Sequence, residues 1–147
     1  MFNYVLEISL ISMFAAQLLK LFTKYFVTGQ WDWHSLVSTG GMPSSHTSLV
    51  TTLTITLALI LGFDSIEFAI SFVFSAVVIH DSMGIRYEAG KHASILNQIA
   101  LDIEHIVKRK ELYDQKFKEL LGHKPIEVFG GVVLGAIVAL IGFYIMY

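Results

Sequence analysis

Residues 39–62, "TGGMPSSHTSLVTTLTITLALILG", decide the fold, because a proline, two serines and a histidine stand directly before a long apolar run. The run over residues 45–63 has about the length of a membrane span, which takes roughly 20 mostly apolar residues. Similar segments occupy residues 4–22, 66–85 and 126–147. The chain is 54% hydrophobic and 15% charged, far more apolar than an average soluble domain. The sequence therefore predicts an all-α polytopic membrane protein, with four transmembrane helices in a single domain over residues 1–147.

The first apolar segment has an alternative interpretation as a cleaved signal peptide. A signal peptide begins with a basic region, whereas residues 1–19 contain neither Lys nor Arg. A transmembrane helix is therefore the preferred interpretation. The chain also has no cysteine, which excludes disulfides, thiolate catalysis and cysteine metal sites.

The basic residues predict the orientation in the membrane. All of them lie either at the end of the first span and just after it, or between the third and fourth spans, while the turn at residues 63–67 carries only acidic charges. By the positive-inside rule, both basic segments face the cytoplasm and both termini face outward. An integral membrane protein with a polar cytoplasmic face is expected.

Two segments outside the predicted spans have their own patterns. Residues 93–121 carry apolar side chains at spacings of three and four, which predicts a long amphipathic cytoplasmic helix. This helix is expected to pack on the membrane surface, and a homodimer through its apolar stripe is the alternative. Residues 24–42 are expected to form an interfacial loop anchored by Trp31 and Trp33.

Polar groups converge at the predicted cytoplasmic ends of all four spans. Helix N-termini present unpaired backbone N–H groups and a partial positive charge, so the second and fourth spans each begin with an anion site. Lys and Arg side chains would add formal positive charge for phosphate oxygens. The residues in this predicted set are Lys20, Ser44, Ser45, His46, Asp81, Arg86, Lys91, His123 and Glu127.

Two histidines in this set suggest phosphoryl transfer chemistry. Beside a phosphate, His46 and His123 could supply a nucleophile and a proton donor, which are the groups that metal-free phosphoryl transfer needs. Glu127 lies one helical turn after His123 and could fix the tautomer of its imidazole.

The same residues resemble a known family. Pro43-Ser44-Ser45-His46 is similar to the Pro-Ser-Gly-His motif of the type 2 phosphatidic acid phosphatase superfamily, which includes the vanadium haloperoxidases. Residues 123–131, "HKPIEVFGG", are similar to its His-x-Pro-x-Asp-Val-x-x-Gly signature, with Glu127 in place of Asp. Together with "DSMGIRYEAGKHASILNQ" at residues 81–98, the pattern most resembles the short divergent branch of haloperoxidase-related membrane proteins.

The resemblance implies a role for each matching residue. His123 would attack phosphorus to form a phosphohistidine, with Glu127 as its acidic partner, and His46 would protonate the leaving alcohol. Ser44 would bind phosphate through its hydroxyl and Ser45 through its backbone N–H. The cations expected to bind substrate are Lys20, Arg86 and Lys91.

The chain also departs from the family pattern. The first superfamily motif, a Lys and an Arg-Pro pair, is absent, and Lys20 is only a positional substitute. Arg86 and His92 have the spacing of the family's Arg and His, but Leu96 stands where the acid should follow. His123 is therefore preferred as the nucleophile over His92.

The expected function is a membrane lipid phosphate phosphatase that acts on phosphatidylglycerophosphate or phosphatidate at the cytoplasmic face. A polyprenyl pyrophosphate phosphatase and a non-catalytic membrane protein that binds or transports a phosphorylated ligand are the alternatives. The histidines lack zinc-site spacing and the carboxylates do not cluster, so no metal and no other cofactor are expected. Asp81 would be the exception, or else an ion-pair partner for Arg86. No nucleic acid partner is expected.

Overall fold

The computed structural model describes residues 3–31, 33, 40–107 and 124–146, with the backbone alone for residues 85–87, 101 and 103–107. Most of these residues are helical, without a strand among them. Their helices are α1 (Tyr4–Thr28), α2 (Ser45–Leu61), α3 (Ile66–Met83), α4 (Ile85–Val107) and α5 (Pro125–Met146). The predicted all-α membrane fold is confirmed.

The helices differ in how well they fit the thickness of a membrane. Within the described residues, three segments are long and apolar enough to cross one: α1, α5 and residues 66–100, which include α3 and most of α4. Helix α2 is a shorter apolar helix of 17 residues. At 1.5 Å per residue it is about 26 Å long, slightly less than the roughly 30 Å hydrocarbon core.

The predicted end of the first span at residue 22 was wrong. Helix α1 continues to Thr28, because nothing before Gly29 breaks it. Gly29 has a φ of 71°, and its N–H bonds to the carbonyl of Tyr25 as a left-handed C-cap. Beyond the cap, the ring of Trp31 stacks on Tyr25 with a centroid distance of 4.5 Å. Residues 24–28 therefore belong to a helix, and the interfacial loop can only begin after them.

Helix α4 begins earlier than the pattern predicted, at Ile85 rather than at residue 93. Only Gly84 separates it from α3, and α4 packs against that helix. The rest of the predicted amphipathic helix, residues 108–121, lies outside the described residues. Dimerisation through this helix stays a prediction.

Helix α2 is the centre of the bundle and packs against α1, α3 and α5. Most of its buried side chains carry hydroxyl groups. In a membrane, helices associate through close packing of small residues and through hydrogen bonds, because lipid offers no hydrophobic driving force between them. The buried hydroxyl residues of α2 are Ser45, Thr47, Ser48, Thr51, Thr52, Thr54 and Thr56.

Several of these hydroxyls link α2 to its neighbours. The Oγ atoms of Ser48 and Ser12 lie 2.5 Å apart and join α2 to α1. Thr54 Oγ1 lies 2.7 Å from Ser75 Oγ and joins α2 to α3. Both pairs are buried, so each hydroxyl finds inside the bundle the partner that lipid cannot provide.

The contact between α2 and α5 brings their backbones close together. A Cβ atom added at Gly131 would lie 2.6 Å from the carbonyl oxygen of Ser44, and one at Gly135 would lie 2.7 Å from that of Ser48. Thr52 Oγ1 also donates a hydrogen bond of 3.0 Å to the carbonyl of Gly135. Two glycines four residues apart in α5 thus allow its backbone to approach that of α2 closely.

Candidate functional site

The start of α2 is built by Ser44, the N-cap residue of the helix. Its Oγ accepts hydrogen bonds from the N–H of Thr47 at 3.3 Å and from the Thr47 hydroxyl at 3.0 Å. Ser44 is fully buried. Serine is a preferred N-cap because it accepts a hydrogen bond from an N–H that has no partner within the helix. Its oxygen is therefore a fixed part of the helix start, and its own hydrogen remains the group with which it could bind an anion.

A backbone hydrogen bond joins the start of α2 to the start of α5. The N–H of Ser44 donates to the carbonyl of Glu127 at 2.9 Å. Beside it, Gly130 leaves room for the residues that precede Ser44, since a Cβ there would lie 3.1 Å from Met42 Cε and 3.5 Å from Pro43 Cβ. The two segments that carry the predicted motifs therefore meet at one end of the bundle.

Lys20 reaches this junction from α1. Its side chain is only 2% exposed, and Nζ donates to Ser45 Oγ at 3.4 Å. Its aliphatic stem lies against Gly41, whose φ is 98° and where a Cβ would lie 3.8 Å from Lys20 Cδ. The structure therefore brings Lys20 and Ser45 together, as the sequence predicts, and places the ammonium inside the protein.

Glu127 occupies the third position of α5, and its side chain is half-buried. Its Oε2 accepts the backbone N–H of Lys124 at 3.4 Å, which is one half of a capping box. Glu127 thus contacts the start of α2 through its backbone carbonyl.

Of the two predicted catalytic histidines, His46 is among the described residues and His123 is not. His46 lies in the first turn of α2, next to Ser45, and its side chain is exposed. His123 lies outside the described residues, although Lys124, which follows it, is placed at the start of α5. The predicted meeting of the two imidazoles, and the pairing of His123 with Glu127, stay predictions.

The remaining predicted cations lie on α4. Arg86 is in its first turn, among the residues of which the structure describes the backbone alone. Lys91 is exposed, and its Nζ forms a salt bridge of 2.8 Å with Glu88 on the same helix. The role of both residues in binding substrate stays a prediction.

Two residues that position the site were not indicated by the sequence pattern. Thr23 Oγ1 donates to the carbonyl of Met42 at 2.6 Å and so fastens the segment before α2 to α1. Gly41 provides the left-handed turn next to Lys20. The Gly-Gly pair before Met42 was the available signal for a turn, whereas no local pattern marked Thr23.

The described part of the chain contains no group of three or more His, Asp or Glu side chains that could hold a metal ion. Asp81 is half-buried near the end of α3.

The fold and the junction together define a helical membrane protein in which two polar motifs meet at the ends of apolar helices. A profile of the divergent PAP2 family, where PAP2 denotes type 2 phosphatidic acid phosphatase, matches residues 1–138. The chain is also 37% identical to the uncharacterized membrane protein YuiD of Bacillus subtilis (strain 168), over 95% of this chain and 93% of that protein. The chain therefore belongs to the divergent PAP2 family, as its motifs predict. No solved structure matches it.

Proposed function

We propose that this protein is a membrane lipid phosphate phosphatase that hydrolyses a phosphomonoester through a phosphohistidine. The observation that supports this most is the 2.9 Å hydrogen bond from the N–H of Ser44 to the carbonyl of Glu127. It joins the Pro-Ser-Ser-His segment to the segment that follows His123 directly in sequence. Membership of a family related to phosphatases supports the same chemistry.

The phosphate would bind at the start of α2. The first turn of a helix presents N–H groups that have no acceptor within the helix, and these groups favour an anion. The ammonium of Lys20, 3.4 Å from Ser45 Oγ, adds a formal positive charge at the same place. The exposed imidazole of His46 lies on the same turn. A phosphate bound there would have a proton donor beside it.

The reaction would proceed in two displacements. In the first, a ring nitrogen of His123 bonds to phosphorus, the bond to the ester oxygen breaks, and the imidazolium of His46 gives its proton to that oxygen. The alcohol then leaves. In the second, water attacks phosphorus and passes a proton to His46, the bond between phosphorus and nitrogen breaks, and inorganic phosphate leaves. Glu127 would hold the imidazole of His123 in its reactive orientation.

The surroundings of the junction support a lipid as the substrate. On α5, beside Glu127, the side chains of Ile126 and Phe129 are 57% and 64% exposed. Such a surface suits the acyl chains of a lipid whose headgroup lies at the start of α2. Phosphatidylglycerophosphate and phosphatidate are the preferred substrates, since both carry a phosphomonoester. Polyprenyl pyrophosphate is the alternative.

The test is release of inorganic phosphate by the purified protein in detergent micelles. Phosphatidylglycerophosphate, phosphatidate and polyprenyl pyrophosphate are compared, and the greatest turnover is expected for one of the first two. His123→Ala should abolish release because it removes the nucleophile, whereas His92→Ala, at an exposed position of α4, should retain it. Release that survives His123→Ala would contradict the proposed intermediate. No release from any substrate would favour a membrane protein that binds or transports a phosphorylated ligand.

The proposed cytoplasmic position of the site has its own test. Because the chain has no cysteine, single cysteines can be introduced without background labelling. Asp64 is exposed in the turn after α2 and Lys124 is exposed before α5, so they mark opposite ends of the bundle. In intact cells a membrane-impermeant maleimide should label Asp64→Cys but should label Lys124→Cys only after permeabilisation. The reverse pattern would place the site outside and favour polyprenyl pyrophosphate.

A further inference from the structure

The hydroxyl oxygen of Ser44 accepts two hydrogen bonds, and both come from Thr47. One donor is the backbone N–H of Thr47, at 3.3 Å, and the other is its hydroxyl, at 3.0 Å. A serine N-cap needs only the bond from the N–H to satisfy the start of a helix. The bond from the hydroxyl is therefore an addition that depends on the side chain of Thr47. Because Thr47 is fully buried, water does not compete for this bond.

Together the two bonds fix the direction of the Ser44 hydrogen. A serine hydroxyl has one hydrogen and two lone pairs. Since Thr47 occupies both lone pairs, the hydrogen takes the remaining position on the oxygen, which points away from Thr47. The other hydrogen bonds that Ser44 makes within the described part of the chain use its backbone N–H and carbonyl. The described residues therefore provide no acceptor for the Ser44 hydroxyl hydrogen.

A buried donor without an acceptor is unfavourable, and Ser44 is fully buried. An acceptor that binds beside Ser44 would remove this cost. The first turn of a helix and the ammonium of Lys20, whose Nζ lies 3.4 Å from Ser45 Oγ, both favour an acceptor with negative charge. A phosphate oxygen is such an acceptor, and hydrogen bonds to charged groups are stronger than those between neutral groups.

We propose that Thr47 is a positioning residue, which holds the hydroxyl of Ser44 as a hydrogen-bond donor for the phosphate. This inference rests on the proposed function only in placing phosphate at the start of α2. Thr47 acts through Ser44 and does not touch the phosphate itself. Its bond also strengthens the donor, because hydrogen bonds in a chain polarise one another. A donor that is already oriented loses less freedom when the ligand binds.

Binding of inorganic phosphate to the full-length protein in detergent micelles, measured by calorimetry, tests this role. Thr47→Val keeps the shape of the side chain but removes the hydroxyl, so the Ser44 hydrogen is no longer fixed. The dissociation constant for phosphate should rise by about five- to ten-fold, which is the order of one hydrogen bond. Thr47→Ser keeps the hydroxyl and should retain the wild-type affinity. If Thr47→Val does not fold, Thr47→Ala replaces it with the same expected result.

Thr52→Val is the matched control, because Thr52 is another fully buried threonine of α2. Its hydroxyl bonds to the carbonyls of Ser48 and Gly135, at 2.8 and 3.0 Å, rather than to Ser44. Its replacement should lower the unfolding midpoint, since a buried hydrogen bond between α2 and α5 is lost, but should leave phosphate affinity unchanged. An equal loss of affinity in Thr47→Val and Thr52→Val would mean that Thr47 only supports the fold, and would overturn the inference.

A double-mutant cycle shows whether Thr47 acts through Ser44. Ser44→Gly removes the hydroxyl, and glycine is itself an acceptable N-cap, so the helix start should be kept. This variant should bind phosphate more weakly than the wild type, and adding Thr47→Val should then have no further effect, because the group that Thr47 orients is gone. Additive losses would overturn the inference, as would an unchanged affinity in Thr47→Val alone. A wild-type protein that binds no phosphate at millimolar concentrations would overturn it too.

The two proposals can fail separately. If Thr47→Val weakens phosphate binding through Ser44 but no lipid phosphate is hydrolysed, the positioning role stands and the phosphatase does not. If lipid phosphate is hydrolysed but Thr47→Val binds phosphate as the wild type does, the phosphatase stands and the positioning role is refuted.

Discussion

Replacing His46 with alanine is expected to lower kcat for lipid phosphomonoesters by about 10²- to 10⁴-fold, which is the usual contribution of a general acid. The fold should be preserved, because the imidazole is exposed and its removal leaves no cavity. The N-cap of α2 is made by Ser44 and Thr47, and neither contact involves the His46 side chain. The unfolding midpoint should therefore stay close to that of the wild type.

The leaving group distinguishes proton donation from a structural effect. An alkyl phosphate leaves as a strongly basic alkoxide and needs the proton, whereas an aryl phosphate leaves as a stable phenolate and needs it much less. His46→Ala should therefore lose far more activity on phosphatidate than on a nitrophenyl phosphate. His92→Ala, which removes another exposed histidine, should lose little on either substrate. An equal loss on both substrates would show that His46 is not the proton donor.

The helical fold was predictable because membrane spans are set by length and apolar composition, which local sequence displays directly. The start of α2 was predictable for a similar reason, since the serines after Pro43 are typical of an N-cap. The end of α1 was not. Residues 24–28 were assigned to a loop because the segment 24–42 as a whole is polar and rich in glycine, but the nearest helix-ending residue is Gly29, and the helix continues to it.

The hydrogen bonds made by the hydroxyl side chains of α2 were not predicted, because these side chains belong to a segment that is apolar as a whole. Threonine carries both a methyl and a hydroxyl group, so a Thr-rich run is compatible with a membrane span. Which hydroxyls bond across the bundle depends on the neighbouring helices, as the contact between Thr54 and Ser75 shows. Such a pairing joins residues far apart in the sequence, so no local sequence pattern predicts it.

The candidate site was predictable only in part, because its motifs are visible in the sequence but the contacts between distant residues are not. The motifs themselves marked Ser44, Ser45 and Glu127, and in the structure a backbone hydrogen bond joins the segments that carry them. Polarity at the end of a span marked Lys20, but it could not show whether the ammonium faces water or the interior. Its burial results from packing by Gly41 and Ser45, which come from another part of the chain.

Replacing Gly131 with alanine is expected to destabilise the protein by about 1–3 kcal/mol, the usual cost of overpacking. The added methyl would lie 2.6 Å from the carbonyl oxygen of Ser44 and 2.8 Å from Thr47 Cβ. Ser44 cannot move alone, because its N–H bonds to Glu127 on the same helix as Gly131. The start of α2 must therefore shift away from α5. Because this shift displaces the proposed phosphate site, phosphate release should also fall, even at a temperature where the variant is still folded.

Gly130→Ala is the matched control for this prediction, since the two glycines are adjacent in α5. A methyl at Gly130 would meet the flexible end of Met42, with Cε at 3.1 Å, and a side chain of this kind can turn aside. Gly130→Ala should therefore melt within a few degrees of the wild type, while Gly131→Ala melts clearly lower. Equal midpoints for the two variants would mean that α2 and α5 do not touch at Ser44. The junction that joins the two motifs would then lack its structural basis, and the phosphate site proposed at the start of α2 would lack it too.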